Sequence, residues 1–240
     1  FLMPHKAGGP YIGMPYEQNY LNFLQSLLWH NFFLWKVKVL YRSSKYFETI
    51  LFDTVEMVSN FERSEKNFKK LKKKNYLKII QQASIMLINA IENGNKIMFC
   101  GNGGSAGDSQ HLAAELIGKY LKIRNPLPAI SLTTNTSTLT SISNDMSFKE
   151  TFSRQVEAFG KKDDVLFAIS TSGKSQNIIF ACKQAKKMKL KTILLTGMKL
   201  KKSIGIDLVI NTPDTRVDRI QEMHIAIGHS ICETVETYFF

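Results

Sequence analysis

From about residue 45 onward, apolar positions follow two alternating rhythms. Between residues 46 and 61 they stand at Phe47, Ile50, Leu51, Val55 and Val58, the threes and fours of one helix face. Between residues 76 and 91, Leu77, Ile80, Ala83, Ile85, Leu87, Ile88 and Ile91 repeat that spacing, and Gly94 ends it. Five short runs then read as nearly continuous apolar sequence: residues 96–100, 128–133, 164–170, 191–197 and 207–213. Runs of this length without polar alternation suit strands covered on both faces. Helical spacing fills the intervals at residues 105–120, 136–143, 149–159 and 175–188, and a last helix runs from about Arg216 to Tyr238. The alternation predicts an α/β domain, a five-stranded parallel sheet between two helical layers in a three-layer αβα sandwich.

The first 44 residues do not share this pattern. Residues 19–41 are aromatic and apolar, yet they carry Asn22, Gln25, Ser26, His30 and Asn31. A membrane-spanning helix needs about 20 mostly apolar residues, so this stretch is marginal. No small-residue cleavage site follows it, which argues against a signal peptide. Residues 1–44 are read as an extension: an added helical or disordered segment, upstream sequence foreign to the domain, or a membrane contact. The domain proper is expected over residues 45–240, and no membrane partner is expected for it.

The chain of 240 residues has a formal charge of +12. Much of the excess sits in Lys66, Lys69, Lys70, Lys72, Lys73, Lys74 and Lys78. Such a run reads as a solvated face or loop before it reads as a nucleic-acid patch, so no nucleic-acid partner is expected. The cysteines are Cys100, Cys182 and Cys232, with no CxxC spacing. A sparse, odd set suits reduced thiols and a cytoplasmic location. Cys182 and Cys232 fall in helical patterns and are expected in the core.

In open parallel sheets, ligands bind beyond the carboxyl ends of the strands. After the first strand comes GNGGSAGDSQH, residues 101–111. Its glycines permit left-handed backbone and close approach to a ligand, and Ser105 stands where a helix would begin and offer an N-cap. The stretch is neither GxGxxG nor a Walker loop, and a tight turn and a ligand loop remain equal readings of it. After the third strand comes STSGKS, residues 170–175, with four hydroxyls before a helix. Simple capping needs one hydroxyl; four suit a phosphate cradle, where hydroxyls, backbone amides and the helix dipole act together. Lys174 is either an added charge or a solvated side chain.

His111 and Glu115 are four apart, on one helix face, which suits two ligands of one metal, an acid/base pair, or a surface hydrogen bond. In the last helix Gln221 and His229 are eight apart, about 80° around the axis. They can converge on one site; His224 lies at another angle and is expected to be exposed or capping.

Together the stretches CGNGGSAGDSQHLAAEL, LPAISLTTNTSTLTSISND, FSRQVEAFGKKDDVLFAISTSGKSQNI and RIQEMHIAIGHSICETVE resemble the SIS (sugar isomerase) family, and within it the bacterial phosphoheptose isomerases. The resemblance runs in order from about residue 45 to the C-terminus. It implies a flavodoxin-like SIS fold with added N-terminal helices, and ketose–aldose isomerisation of sedoheptulose 7-phosphate through an enediol, serving ADP-heptose and surface-polysaccharide synthesis. It implies that Asn102, Gly103, Gly104 and Ser105 line the sugar-phosphate site, that Ser170, Thr171, Ser172 and Ser175 hold the phosphate, and that Asn144 and Asp145 contact substrate. By the same resemblance His111, Glu115, Gln221 and His229 gather around zinc, with no organic cofactor. Glu115 and His229 are then the proton-transfer pair, Glu115 and Gln221 also touch substrate, and Asp218 orients a partner. A homotetramer with shared sites is implied. Two departures stand out. Residues 197–208 lack the usual Asp-Gly-Gly, and Lys119 replaces a frequent arginine, losing bidentate phosphate geometry. Some SIS tetramers are not enzymes and bind the replication initiator DnaA; they lack the matched glutamate and final-helix histidine that this chain keeps.

Overall fold

The computed structural model describes residues 45–197 and 205–240. The extension expected over residues 1–44, and most of the short stretch after Gly197, lie outside the described residues. Backbone contacts divide the chain into residues 1–59 and 60–240, and the second unit holds the sheet and every side chain discussed below.

Two helices precede the sheet, α1 (Lys45–Leu71) and α2 (Lys74–Glu92). The expected helix over residues 46–61 continues through the first part of the lysine-rich stretch to Leu71; after a break at Lys72 and Lys73, Lys74 and Lys78 belong to α2. The lysines did not stop it because α1 still presents a buried side: Asn67 and Leu71 are enclosed while Lys66 and Lys69 face water. There follow β1 (Ile97–Gly101), α3 (Gly104–Ile117), β2 (Ala129–Ser131), α4 (Thr136–Asp145), a 3-10 turn (Phe148–Glu150), α5 (Thr151–Phe159), β3 (Val165–Ser170), α6 (Gln176–Lys187), β4 (Lys191–Thr196), β5 (Leu208–Asn211) and α7 (Val217–Phe239). All five predicted strands and all the predicted helices are present. The second and fifth apolar runs shorten to three and four residues, because pairing covers only their centres.

The sheet is wholly parallel, in the order β2-β1-β3-β4-β5. That is the flavodoxin-type order. Side chains alternate between its faces. Ile97, Phe99, Val165, Phe167, Ile193 and Ile210 meet α2, α3 and α7 through Leu87, Leu112, Leu116, Met223, Ile227 and Ile231. Met98, Cys100, Leu166, Ala168 and Leu194 meet α5 and α6 through Phe152, Val156, Ile178, Ala181 and Cys182. The three layers follow directly. All three cysteines are buried thiols; burial holds Cys182 and Cys232 up at about 12.

His224 is a correction. It is fully buried, not exposed or capping. Helix α7 packs against α2, α3 and β4, so a side chain turned away from one partner meets another. Neither ring nitrogen has a well-formed hydrogen bond. Burial lowers its pKa to about 4, only partly opposed by the Thr196 backbone.

Where α1 meets the rest of residues 60–240, Asp214 is the anchor. Its carboxylate accepts bonds from the Arg63 guanidinium, the Asn67 amide, and the backbone N–H groups of Thr215 and Arg216. The Arg63 bond comes first among the causes that hold this carboxyl far below the usual range. A cavity of about 1080 Å³ lies beside it, with Arg63, Lys66, Lys70, Lys73 and Tyr76 in its wall; no residue of the cluster described next lines it.

Candidate active site

The order of the sheet reverses between β1 and β3, and the loops leaving these strands splay apart there. A crevice at such a point is the usual ligand site of an open α/β sheet. The β1 loop turns through Gly103 at φ 55°. A side chain on Gly104 would strike the Gln221 amide, with a Cβ only 2.3 Å from its nitrogen, so the loop passes directly against α7. Helix α3 starts at Gly104 with Gly103 in the cap position; Ser105 is buried in the first turn and is not the N-cap its sequence position suggested. Asn102 exchanges two amide bonds with Asn177 of α6, at 2.9 and 2.8 Å, and so ties the β1 loop to the β3 side of the crevice. Asn177 carries no signal in the sequence, since its partner is 75 residues away.

The β3 loop folds on its own hydroxyls. Ser170 Oγ accepts from the Gly173 N–H at 3.2 Å and lies 3.3 Å from Ser175 Oγ; Ser172 Oγ accepts from the Lys174 N–H at 3.2 Å. Ser175 holds the cap position of α6 but makes no side-chain cap bond. In the first turn of α6 the Ile178 N–H donates to Asn177 Oδ1 at 3.0 Å; no serine side chain caps this helix start, a position that attracts an anion.

Helices α3 and α7 run side by side in the same direction. Gly104 meets Gln221 near their N-termini, and Gly228 meets Leu112 further along, where a Cβ on Gly228 would come within 2.6 Å of both Leu112 methyls. That close approach brings the neighbours of these two residues together. His111 Nε2 is 2.9 Å from His229 Nε2 and 3.1 Å from Glu115 Oε1. One ligand atom from each of the three lies within 4.8 Å of the others. His111 and Glu115 remain reachable, with side chains 50% and 21% exposed. Tyr120 lies beside His229, ring centres 5.9 Å apart. Two imidazoles and a carboxylate are the donors a divalent metal such as zinc takes from a protein. The same groups can exchange protons with a substrate.

Other expected residues are placed differently. Asp218, at the start of α7, bonds Arg216 and Arg219, and the Arg216 bond leads the causes that lower its pKa to about 2. It is a fixed anion, suited to orientation. Asn144 and Asp145 end α4, exposed and bonded to each other at 2.8 Å; among the described residues no hydrogen bond or ion pair joins them to the cluster. Lys119 is exposed just beyond α3. Sequence reading passed over Asp108, one turn before His111. Its Oδ2 is buried without a partner, and burial raises its pKa to about 6 against the opposing charge of His111.

The SIS domain family model matches residues 60–197. The chain belongs to the SIS domain family. It is 51% identical to a phosphoheptose isomerase of Rhodospirillum rubrum over 158 residues, 65% of this chain and 84% of that one. It is 47% identical to a phosphoheptose isomerase of Clostridium acetobutylicum over 192 residues, 79% of this chain and 95% of the relative. Among solved structures it resembles phosphoheptose isomerase GmhA from Neisseria gonorrhoeae, with 38% identity and a TM-score of 0.70. A phosphoheptose isomerase from Francisella tularensis matches with 32% identity and a TM-score of 0.73, and each match covers 77% of this chain and 98% of the other. The SIS crevice of this chain thus has its two loops at the switch point and its histidine–glutamate cluster between α3 and α7.

Proposed function

We propose that this chain is an aldose–ketose isomerase acting on sedoheptulose 7-phosphate and forming D-glycero-D-manno-heptose 7-phosphate. The observation that carries the reading is the convergence of Glu115, His111 and His229 from two helices, the first of which leaves the β1 loop. Relatives at about half identity carry the name phosphoheptose isomerase, and it is their similarity that directs the choice of sugar. The non-catalytic alternative, a tetramer that binds DnaA, gains nothing from them.

The substrate phosphate sits against Ser170, Thr171, Ser172, Ser175 and the N-terminus of α6. Asn102, Gly103, Gly104 and Ser105 border the sugar, with Gln221 above Gly104. Glu115 takes a proton from the hydroxymethyl carbon beside the ketone, leaving an enediol, and, open to exchange with water, returns a proton to the former carbonyl carbon. His229 moves the accompanying proton between the two oxygens. One base and one acid balance the reaction with no external oxidant. His111, Glu115, His229 and Gln221 would hold zinc, which when bound would polarise a carbonyl; Glu115 and His229 move protons only while not tightly bound to it, so the metal would be loosely held or structural, or the roles would alternate. Asp218 orients its arginines, and through them the start of α7.

We place the enzyme in the cytoplasm, as a homotetramer feeding ADP-heptose and surface-polysaccharide synthesis. Exposed Ile117, Leu121 and Ile123, the last 91% exposed, support self-association. The isolation of Asn144 and Asp145 from the cluster suits a site that a second copy completes.

The test is incubation with sedoheptulose 7-phosphate and detection of the aldose phosphate. Turnover by the wild-type chain supports the assignment. A folded protein that leaves the sugar unchanged, with and without added zinc, overturns it.

A further inference from the structure

Glu115 and His229 belong to different helices, so their separation depends on whatever holds α3 and α7 in register. Beyond the Gly228 contact, a buried ion pair takes over. The side chains of Arg124 and Glu236 are 1% and 2% exposed. Arg124 Nε donates to Glu236 Oε1 at 2.8 Å. Its Nη2 donates to the backbone carbonyl of Glu115 at 2.8 Å, and its Nη1 to those of Leu116 at 2.9 Å and Asn125 at 3.1 Å. The second Glu236 oxygen accepts from the N–H groups of Leu121 and Lys122 at 2.9 and 3.1 Å. Burial alone would raise the Glu236 pKa, but the bonds from Arg124 and the two amides win and lower it.

The end of a helix leaves backbone carbonyls without partners. Here one guanidinium meets two of them, that of Leu116 also accepting from the Leu127 N–H at 3.0 Å, and a carboxylate from α7 neutralises its charge. Glu236 is seven residues past His229, two turns along α7 and only about 20° around its axis. The connection therefore runs from the backbone of Glu115, through Arg124, to the same face of α7 that bears His229. A buried ion pair is a poor source of stability compared with apolar packing; its better-attested use is to fix one arrangement.

We propose that the Arg124–Glu236 pair is a positioning device for the isomerisation. It locks the C-terminal end of α3 to α7 and so sets the distance between the Glu115 carboxylate and the His229 ring. The inference rests on the assignment of those two residues as the proton-transfer pair.

The test compares Arg124→Lys and Glu236→Gln with the wild-type enzyme, each shown to be folded by circular dichroism and melting. Arg124→Lys keeps the charge and loses the fork. Its kcat should fall about 10- to 100-fold, the cost of a misplacement near 1 Å. KM should stay within about twofold, because the phosphate loop stands on other elements. Glu236→Gln should show the same pattern more weakly. Zinc affinity, measured by chelator competition, reads the same geometry without turnover and should weaken in parallel. A third variant, Arg124→Met with Glu236→Leu, restores apolar packing without the bonds. Positioning requires its kcat to stay low in a folded protein; recovery of kcat along with stability would make the pair merely structural. Wild-type kcat and zinc affinity in folded Arg124→Lys would overturn the proposal, and where that variant does not fold, Glu236→Gln decides by the same criteria. An inactive wild-type enzyme that binds zinc more tightly than Arg124→Lys would instead overturn the assigned reaction and leave the positioning role standing.

Discussion

The two halves of the crevice are built in opposite ways. The β3 loop is local: six consecutive residues, 170–175, supply the hydroxyls, the turn and the start of α6. The histidine–glutamate cluster is remote: His111 and His229 are 118 residues apart and meet only because two helices pack closely. A local cradle distributes its contacts over several donors, so each can be lost at small cost. The cluster has one group per task, and its geometry is inherited from core packing.

The sharpest way to break this contrast is at Glu115. Glu115→Gln keeps the shape and removes the base, and kcat should drop by about 10³-fold, within the range for general acid–base catalysis. Retained turnover in the variant would remove Glu115 from the chemistry. His229→Ala should fall comparably.

The helix pair should also answer to pH through His224, which the phosphate loop should not. Its pKa is lowered from 6.5 to about 4 by burial. Between those values the unfolded chain binds a proton that the folded chain refuses, so stability falls as pH falls. The loss should reach about 3 kcal/mol by pH 4. Urea unfolding at pH 7 and near pH 4.5 should show His224→Leu losing less than the wild-type chain over that interval. Equal losses would mean that His224 takes up its proton while folded.

Gly228→Ala probes the packing itself. The new Cβ meets Leu112, and overpacking of this kind costs about 1–3 kcal/mol. Because His111 and His229 adjoin the contact, kcat should fall with stability, and KM should move less. Denaturant melts and steady-state kinetics on the same preparation separate the two.

The smallest effects are expected in the cradle. If the cradle holds the phosphate as proposed, Ser172→Ala or Ser175→Ala removes one donor, worth about 1 kcal/mol or somewhat more, and should raise KM about fivefold to tenfold with kcat nearly unchanged. A large kcat loss from either serine would erase the distinction between the two halves. Chelation sharpens it from the other side: if a bound metal polarises the carbonyl, as proposed, its removal should reduce turnover and leave binding of the sugar phosphate largely intact. Undiminished turnover after complete chelation would exclude a catalytic metal.

Local features were legible from the chain alone. Apolar runs marked the strands, and the hydroxyl cluster marked the β3 loop. The expected pairing of His111 with Glu115 holds, because four residues on a helix bring side chains together whatever surrounds them. The lysine run hid the continuation of α1, since its buried side needs only Asn67 and Leu71. The cap falls two positions before Ser105, because Gly103, at positive φ, takes it. His224 is buried where its angle suggests exposure, because angle around a helix says nothing of how many sides are covered. Asn177, Arg124 and Glu236 left no local trace at all. Their partners are 75 and 112 residues distant, and only the folded register supplies them.

The most direct measurement is isomerisation of sedoheptulose 7-phosphate in deuterium oxide, with the product followed by NMR. Proton transfer through Glu115, which is partly open to water, predicts deuterium on the carbon beside the new aldehyde and its disappearance, along with product, in Glu115→Gln. Product formed at the wild-type rate by Glu115→Gln, or wild-type product wholly free of deuterium, would contradict the account.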